Sequence, residues 1–114
     1  MKITDIKEDV GPTRLVASYY GLESRFNQLE EEMAELTQAL CKYRRLKNGE
    51  ICRKTLEEVR ENIIEELGDI LIVMDQILYL LDEDDELSFR YHLKTKIQRT
   101  FTEFKEKMKA EKTR

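Results

Sequence analysis

Two pairs of acidic residues with the same spacing are the residues in this sequence best suited to chemistry. Glu32 and Glu35 form one pair, and Glu66 and Asp69 form the other. Residues three apart on an α-helix project from neighbouring positions of one face, so each pair can place two carboxylates around one hard cation. Without a cation or a basic partner, the two carboxylates of each pair repel each other. Each pair therefore predicts half of a metal site.

Asp69 gives the stronger argument because it interrupts an apolar run. It lies within residues 67–74, LGDILIVM, where burying an unpaired charge is costly or forces the carboxyl group to stay protonated. A salt bridge to a lysine or arginine of another helix would also compensate this charge. The recurrence of the same acidic pair elsewhere in the chain favours a shared cation over a salt bridge.

The helical phase of the two pairs predicts that they converge. Relative to the apolar stripe of its helix, Glu32 lies at about −60° and Glu35 at about −120°, and Glu66 and Asp69 lie at about −80° and −140°. Two antiparallel helices that pack stripe to stripe bring flanks of the same hand together, so the four carboxylates are expected to line one groove. The stripes used here are Leu29, Met33, Leu36 and Leu40 on the first helix, and Leu56, Ile63, Leu67, Ile70, Met74 and Leu81 on the second.

Four carboxylates with no histidine or thiolate make an all-oxygen site. Such a site suits Mg²⁺, with Mn²⁺ as a possible substitute, and suits zinc or copper poorly. Magnesium held by carboxylates usually keeps open positions for water and phosphate oxygens. The chemistry of the residues therefore predicts a polyphosphate as the ligand of this groove.

The same residues carry a resemblance to a known family. Residues 28–36, QLEEEMAEL, and 65–70, EELGDI, resemble the paired E-E-x-x-E-L and E-E-L-x-D motifs of the MazG-like nucleoside triphosphate pyrophosphohydrolases, in the all-α NTP pyrophosphatase superfamily. Residues 96–101, KIQRTF, are similar to the family's K-x-x-R-R-F stretch, with Thr100 in place of the second arginine. The resemblance covers about residues 19–104. The chain departs from the family in a long connection between the acidic pairs, and in Lys94, where the family often has asparagine.

The resemblance implies a metal-dependent enzyme that hydrolyses a ribo- or deoxyribonucleoside triphosphate to the monophosphate and pyrophosphate. The four acidic residues would be its metal ligands and catalytic residues. Lys96 and Arg99, three apart on one helical face, would contact phosphates, although a surface salt bridge explains them equally well. Glu31 and Glu65 are candidates for an outer-shell partner or a base, and helical phase points Glu65 away from the groove. Members of this family form dimers or tetramers, which implies a homodimer or homotetramer here.

Two other classes of protein stay open at this level. One is a non-catalytic helical interaction module whose acidic pairs hold a structural ion or basic partner residues. The other is a di-iron carboxylate bundle, which is weakened because no Glu-x-x-His occurs on a helix. His92 is isolated from the acidic motifs and is expected at the surface. The basic residues around 42–54 are expected to form a solvated end of the bundle.

Composition indicates one helical domain, residues 1–114. The chain has 39% charged residues, one proline and four glycines, and its formal net charge of −4 argues against nucleic-acid binding. An uncharged apolar segment of 18 residues is lacking, and the N-terminus carries no signal-peptide pattern, so a soluble cytoplasmic protein without membrane contact is expected. Cys41 and Cys52 lack metal-binding spacing and are expected to be free thiols.

The elements that must position the acidic pairs form an all-α, antiparallel bundle of three long helices and a short N-terminal helix. Helices are predicted at about residues 12–20, 22–47, 55–81 and 86–108, with a frayed tail at 110–114. The boundary signals are Gly21, the Asn48-Gly49 pair, and Thr55 with Glu58 as a capping box. The third of these helices is apolar nearly all round between residues 67 and 81, which predicts burial against a second subunit.

Overall fold

The computed structural model describes residues 7–113, which fold into helices joined by short connections. No strand occurs within this described range. The fold is all-α, with the three long helices and the short N-terminal helix that the sequence predicts, and one additional helical turn before them. The helices are α1 (Lys7–Val10), α2 (Thr13–Tyr20), α3 (Leu22–Lys47), α4 (Leu56–Leu80) and α5 (Glu83–Lys112).

The chain divides into two compact units, one that ends at Leu80 and one that begins at Leu81. The first unit contains α1, α2, α3 and α4, and the second contains α5. The prediction of one domain over residues 1–114 stays a prediction. None of the described helices combines the length and the apolar character that crossing a bilayer requires.

Local signals set the ends of α2 and α3 where the sequence predicts them. Gly21 adopts a φ of 87°, and its N–H donates to the carbonyl of Ala17 at 2.8 Å, which closes α2. At the other end of α3, Gly49 has a φ of 85°. The N–H of Gly49 donates to Leu46 and that of Glu50 donates to Arg45, at 3.1 and 3.0 Å. This pair of bonds is a Schellman motif, and it stops the helix because only glycine adopts the left-handed conformation at no cost.

The predicted capping box starts α4. The N–H of Glu58 donates to Thr55 Oγ1 at 3.1 Å, and the N–H of Thr55 donates to Glu58 Oε1 at 3.2 Å. These reciprocal bonds satisfy two backbone donors that the first turn of the helix would otherwise leave free.

In the first unit, α3 and α4 pack antiparallel. Arg25 near the start of α3 contacts Gln76 near the end of α4, whereas Tyr43 and Lys47 near the end of α3 line a cavity with Leu56 at the start of α4. Small apolar side chains form the centre of this packing, which explains the close approach of the helices. The buried residues are Ala17, Ala39, Val59 and Val73, together with Gln76.

The prediction that the helices pack stripe to stripe is wrong for part of both stripes. Met33 and Leu67 are each 53% exposed and Met74 is 42% exposed, so α3 and α4 are rotated relative to the predicted contact. The residues that α4 buries include Val59 and Val73, which lie off its predicted stripe. This rotation brings Glu32 and Glu66 to the contact between the two helices, where both are half-buried, and leaves Glu35 exposed.

Polar contacts hold α2 against α4. The Arg14 guanidinium donates two hydrogen bonds to the Asp75 carboxylate, at 3.0 and 3.1 Å, and lies over the ring of Tyr79. Gln76 donates from Nε2 to the carbonyl of Thr13 at 2.9 Å.

In the second unit, α5 is longer than the predicted span of 86–108. Asp82 is its N-cap, and the carboxylate of Asp82 accepts from the N–H of Asp85 at 2.8 Å, so the helix starts three residues earlier. The helix continues through Lys112, and Thr113 caps it. Residues 110–112 are therefore helical, contrary to the predicted fraying, and residue 114 lies outside the described residues.

Candidate functional site

Three carboxylates meet where α3 packs against α4. Glu32 and Glu35 extend from α3 and Glu66 extends from α4, and one carboxylate oxygen of each lies within 4.8 Å of the others. We refer to these three residues as the acidic cluster. The three-residue spacing on α3 and the antiparallel packing of α4 together create it.

The acidic cluster contains two carboxylate oxygens that are buried and lack a hydrogen-bond donor, Glu32 Oε2 and Glu66 Oε2. The other oxygen of Glu32 accepts from Gln28 Nε2 at 2.8 Å, one turn earlier on α3. This bond orients the Glu32 carboxylate and leaves its buried Oε2 without a donor. Buried polar atoms without a partner are rare in folded proteins, so these two oxygens call for a cation or protons.

The pKa of Glu66 reflects the same crowding. Burial of the carboxyl group, followed by the proximity of Glu32 and Glu35, raises the pKa of Glu66 from its ordinary 4.5 to about 7. In the absence of a cation, therefore, Glu66 holds a proton over much of the acidic pH range. A cation bound by the cluster would offset the cost of burial and the repulsion from Glu32 and Glu35, and so favour the ionised form of Glu66.

Asp69 lies one turn after Glu66 and is half-buried, but it does not belong to the set of three mutually close carboxylates. Burial raises the pKa of Asp69, and the negative charges of Glu32, Glu65 and Glu35 raise it further. Asp69 is therefore close enough to Glu32 and Glu35 to be affected by their charges. It extends the negative region at the edge of the acidic cluster.

The donor set of the acidic cluster consists of carboxylate oxygens, which are the ligands that hard divalent cations prefer. The residues fit such a cation in chemical type, in mutual distance and in having two buried oxygens without a donor. Glu35 is exposed, so the cluster is open to solvent on one side. An exchangeable ligand can approach from that side.

The remaining predicted site residues lie outside this cluster. Lys96 and Arg99 are one turn apart on α5, in the second unit, and both are exposed. Glu31 and Glu65 are exposed residues of α3 and α4. Cys41 and Cys52 are free thiols, as expected. The roles of Lys96 and Arg99 stay predictions.

Two polar residues of α3, Gln28 and Arg25, make contacts that the sequence analysis does not predict. Gln28 holds Glu32, and a glutamine four residues before a glutamate on a helix is a recognisable signal for such a bond. Arg25 lies two helical turns before Glu32 on α3, donates to Gln76 Oε1 at 3.0 Å, and has a buried Nε without an acceptor. No sequence signal predicts the contact of Arg25 with Gln76, because it joins residues 51 positions apart.

Comparison with known proteins finds no relative of this chain. No protein-family model matches the chain, and no curated protein or solved structure does either.

Proposed function

We propose that this protein is a magnesium-dependent nucleoside triphosphate pyrophosphohydrolase, which hydrolyses ribo- or deoxyribonucleoside triphosphates to the monophosphate and pyrophosphate. The observation that carries the proposal is the acidic cluster, with its two buried carboxylate oxygens that lack a donor. The ordered motifs at residues 28–36, 65–70 and 96–101 support it, because they resemble those of MazG-like enzymes.

Glu32, Glu35, Glu66 and Asp69 are the proposed metal ligands and catalytic residues. Magnesium, or manganese in its place, would supply Lewis-acid polarisation of phosphate oxygens and activation of water when bound. The carboxylates orient the reacting groups by charge, and Gln28 keeps Glu32 in a fixed orientation.

In the proposed reaction, a water oxygen forms a bond to the α-phosphorus of the nucleotide. The bond from that phosphorus to the oxygen that bridges to the β-phosphate breaks, and pyrophosphate leaves with the electron pair. The proton lost by water passes to a carboxylate or to solvent. Glu31 and Glu65 stay candidates for an outer-shell partner or a base in this step. Lys96 and Arg99 stay the proposed phosphate contacts, because lysine and arginine neutralise phosphate charge.

We propose further that the enzyme works in the cytoplasm as a homodimer or homotetramer. The apolar side chains that α4 leaves exposed, among them Leu67 and Met74, support assembly.

The test is to measure pyrophosphate and phosphate release separately from a panel of ribo- and deoxyribonucleoside tri- and diphosphates, with Mg²⁺ and with EDTA. Pyrophosphate release that needs Mg²⁺ is expected from at least one triphosphate. Glu66→Gln is expected to lower turnover by about a hundredfold or more, because it removes a charge that stabilises the transition state by several kcal/mol.

Glu30→Gln is the matched control, because Glu30 is an exposed residue of α3 outside the acidic cluster. Its turnover is expected to equal that of the wild type. If a folded protein that binds Mg²⁺ releases no product from any nucleotide, the proposed reaction is wrong and the cluster is a structural ion site.

A further inference from the structure

Arg25, in the first turns of α3, is a half-buried arginine without an acidic partner. In the part of the chain that the structure describes, Arg14 is the other arginine that is half-buried, and Asp75 neutralises it at 3.0 Å. Among the side chains in that same part, no carboxylate forms an ion pair with Arg25. A positive charge that is partly withdrawn from water calls for an anion.

The Arg25 guanidinium is held in place, but its hydrogen-bonding capacity is not used up. Nη1 donates to Gln76 Oε1 at 3.0 Å, and Nη2 donates to Ser24 Oγ at 3.1 Å. The guanidinium also lies over the ring of Tyr20, with Cζ at 5.3 Å from the ring centroid, and Tyr20 is exposed. An arginine has five N–H donors, so the two bonds leave donors over, and Nε is buried without an acceptor.

On α4, the partner of Arg25 lies on the same flank as the acidic residues. Gln76 is about 80° from Glu66 around the helix, and Asp69 is about 60° from Glu66 in the same direction. The bond to Gln76 therefore directs the Arg25 guanidinium toward the flank on which Asp69 lies.

On α3, the second partner of Arg25 gives the same result. Ser24 is about 80° from Glu32 around the helix, and Glu35 is about 60° from Glu32 in the same direction. Flanks of the same hand lie together when two helices pack antiparallel. Arg25 and the solvent-open side of the acidic cluster therefore share one side of the α3–α4 pair.

Arg25 and Glu32 are two helical turns apart, which is about 10.5 Å along α3. This gap is longer than one phosphate group. It suits a chain of phosphates that a cation holds at one end and an arginine holds at the other, because arginine binds phosphate oxygens through paired N–H groups.

We infer that Arg25 binds the terminal phosphate of the nucleoside triphosphate, at the end of the phosphate chain away from the acidic cluster. This inference rests on the proposed function, and it assigns to Arg25 the selection of triphosphates over diphosphates. A diphosphate held at the acidic cluster ends before it reaches Arg25. Gln76 and Ser24 are positioning residues, which orient the guanidinium without contact to the substrate.

The first experiment compares kcat/KM for a nucleoside triphosphate and for the corresponding diphosphate, both in Mg²⁺. Arg25→Gln is expected to lower the value for the triphosphate about ten- to hundredfold, the usual effect of losing hydrogen bonds between charged groups. The value for the diphosphate should stay nearly unchanged. A merely structural defect would lower both values equally, so an equal loss, or no loss, would overturn the inference.

Two further variants make this comparison specific. Arg44→Gln is the matched control, because Arg44 is an exposed arginine of α3, and it should keep both values of the wild type. Arg25→Lys keeps the charge without the planar pair of donors, so its loss on the triphosphate should be smaller than that of Arg25→Gln. Circular dichroism verifies the helices of each variant, and Arg25→Lys carries the test if Arg25→Gln does not fold.

A binding experiment separates this inference from the proposed reaction, because it needs no turnover. Titration calorimetry in Mg²⁺ is expected to show tighter binding of inorganic tripolyphosphate than of pyrophosphate to the wild type, and Arg25→Gln should remove the difference. If no nucleotide is hydrolysed but tripolyphosphate binds through Arg25, the phosphate site stands and the proposed reaction is wrong. If triphosphates are hydrolysed and Arg25→Gln still prefers tripolyphosphate, the reaction stands and the inference is wrong.

Discussion

The carboxylates of Glu32 and Glu66 meet across the contact between α3 and α4, and each has one buried oxygen without a hydrogen-bond donor. Two acidic groups in such a position destabilise the fold unless protons or a cation offset their repulsion. The same relationship therefore links the stability of the protein to metal concentration and to pH. Added metal is expected to stabilise the fold, whereas a rise in pH without metal is expected to destabilise it. The two effects can be measured separately.

Magnesium is expected to stabilise the protein against thermal unfolding through the acidic cluster. A ligand that binds only the folded state at a hundredfold excess over its dissociation constant adds about 2.7 kcal/mol to the free energy of unfolding. Thermal melts with Mg²⁺ or EDTA would measure the shift. Glu66→Gln should abolish the shift and Glu30→Gln should keep it. An equal shift in both variants would place the ion elsewhere.

In the absence of metal, the free energy of unfolding is expected to fall as the pH rises. The pKa of Glu66 is 4.5 when unperturbed and about 7 in the folded protein, so the folded state binds more protons between these values. The stabilisation from this group is complete below pH 4.5 and is lost as the pH rises through about 7. The raised pKa of Asp69 acts in the same direction.

Urea unfolding in EDTA at pH values from 5 to 8 would measure this trend. The capping residue Glu58, whose pKa is lowered by its bonds to Thr55, loses its contribution only as the pH falls below its ordinary value, outside that range. Glu66→Gln should flatten the profile. A wild-type profile that rises with pH over this range would contradict the prediction.

Removal of the capping box is expected to shorten or weaken α4. Thr55→Ala eliminates the side-chain acceptor for the N–H of Glu58, which costs about 1 kcal/mol of stability at a helix N-cap. Chemical denaturation followed by circular dichroism would measure the loss. Thr102→Ala, in the exposed middle of α5, is the control and should change stability little.

Gly49 is expected to resist replacement by a residue with a Cβ. Its φ of 85° costs a non-glycine residue about 1–2 kcal/mol, so Gly49→Ala should destabilise the protein by about 1 kcal/mol. Gly49→Asn should cost less, because asparagine tolerates this conformation. Equal stability of the alanine variant and the wild type in urea would show that the α3 terminus rearranges freely.

Replacement of Gln76 is expected to destabilise the protein more than its position in an apolar helix suggests. The side chain is 3% exposed, donates to the carbonyl of Thr13 and accepts from Arg25. Gln76→Met keeps the volume but leaves both partners unpaired, at a cost of about 1–3 kcal/mol. Limited proteolysis within α2, with urea unfolding alongside, would detect the loss. An unchanged cleavage rate would mean that other contacts hold α2 in place.

The helix boundaries were largely determined by the sequence itself. The boundary signals act within a few residues of the chain, so their hydrogen bonds do not need contacts between distant segments. These signals are Gly21, the Asn48-Gly49 pair and the Thr55–Glu58 capping box. The start of α5 was missed by three residues for a local reason as well. Asp82 caps the helix directly through the N–H of Asp85, so the acidic residues that follow it belong to the first turn of α5.

The rotation of α4 was decided by the tertiary structure alone. Residues 67–81 are apolar nearly all round, so helical periodicity does not define which side faces α3. Packing of the small side chains Ala39, Val59 and Val73 settles this orientation. It buries Gln76 and exposes Leu67, opposite to what their polarities predict.

The candidate site also depends partly on local sequence and partly on tertiary structure. Three-residue spacing was sufficient to single out the acidic pairs, because adjacency on one helix is a property of the chain. The approach of Glu66 to Glu32 and Glu35, its raised pKa, and the buried oxygens without donors depend on contact between two helices. Sequence alone therefore determined which carboxylates are paired, and only the tertiary structure decided which of them meet, because burial and repulsion arise from packing between distant segments.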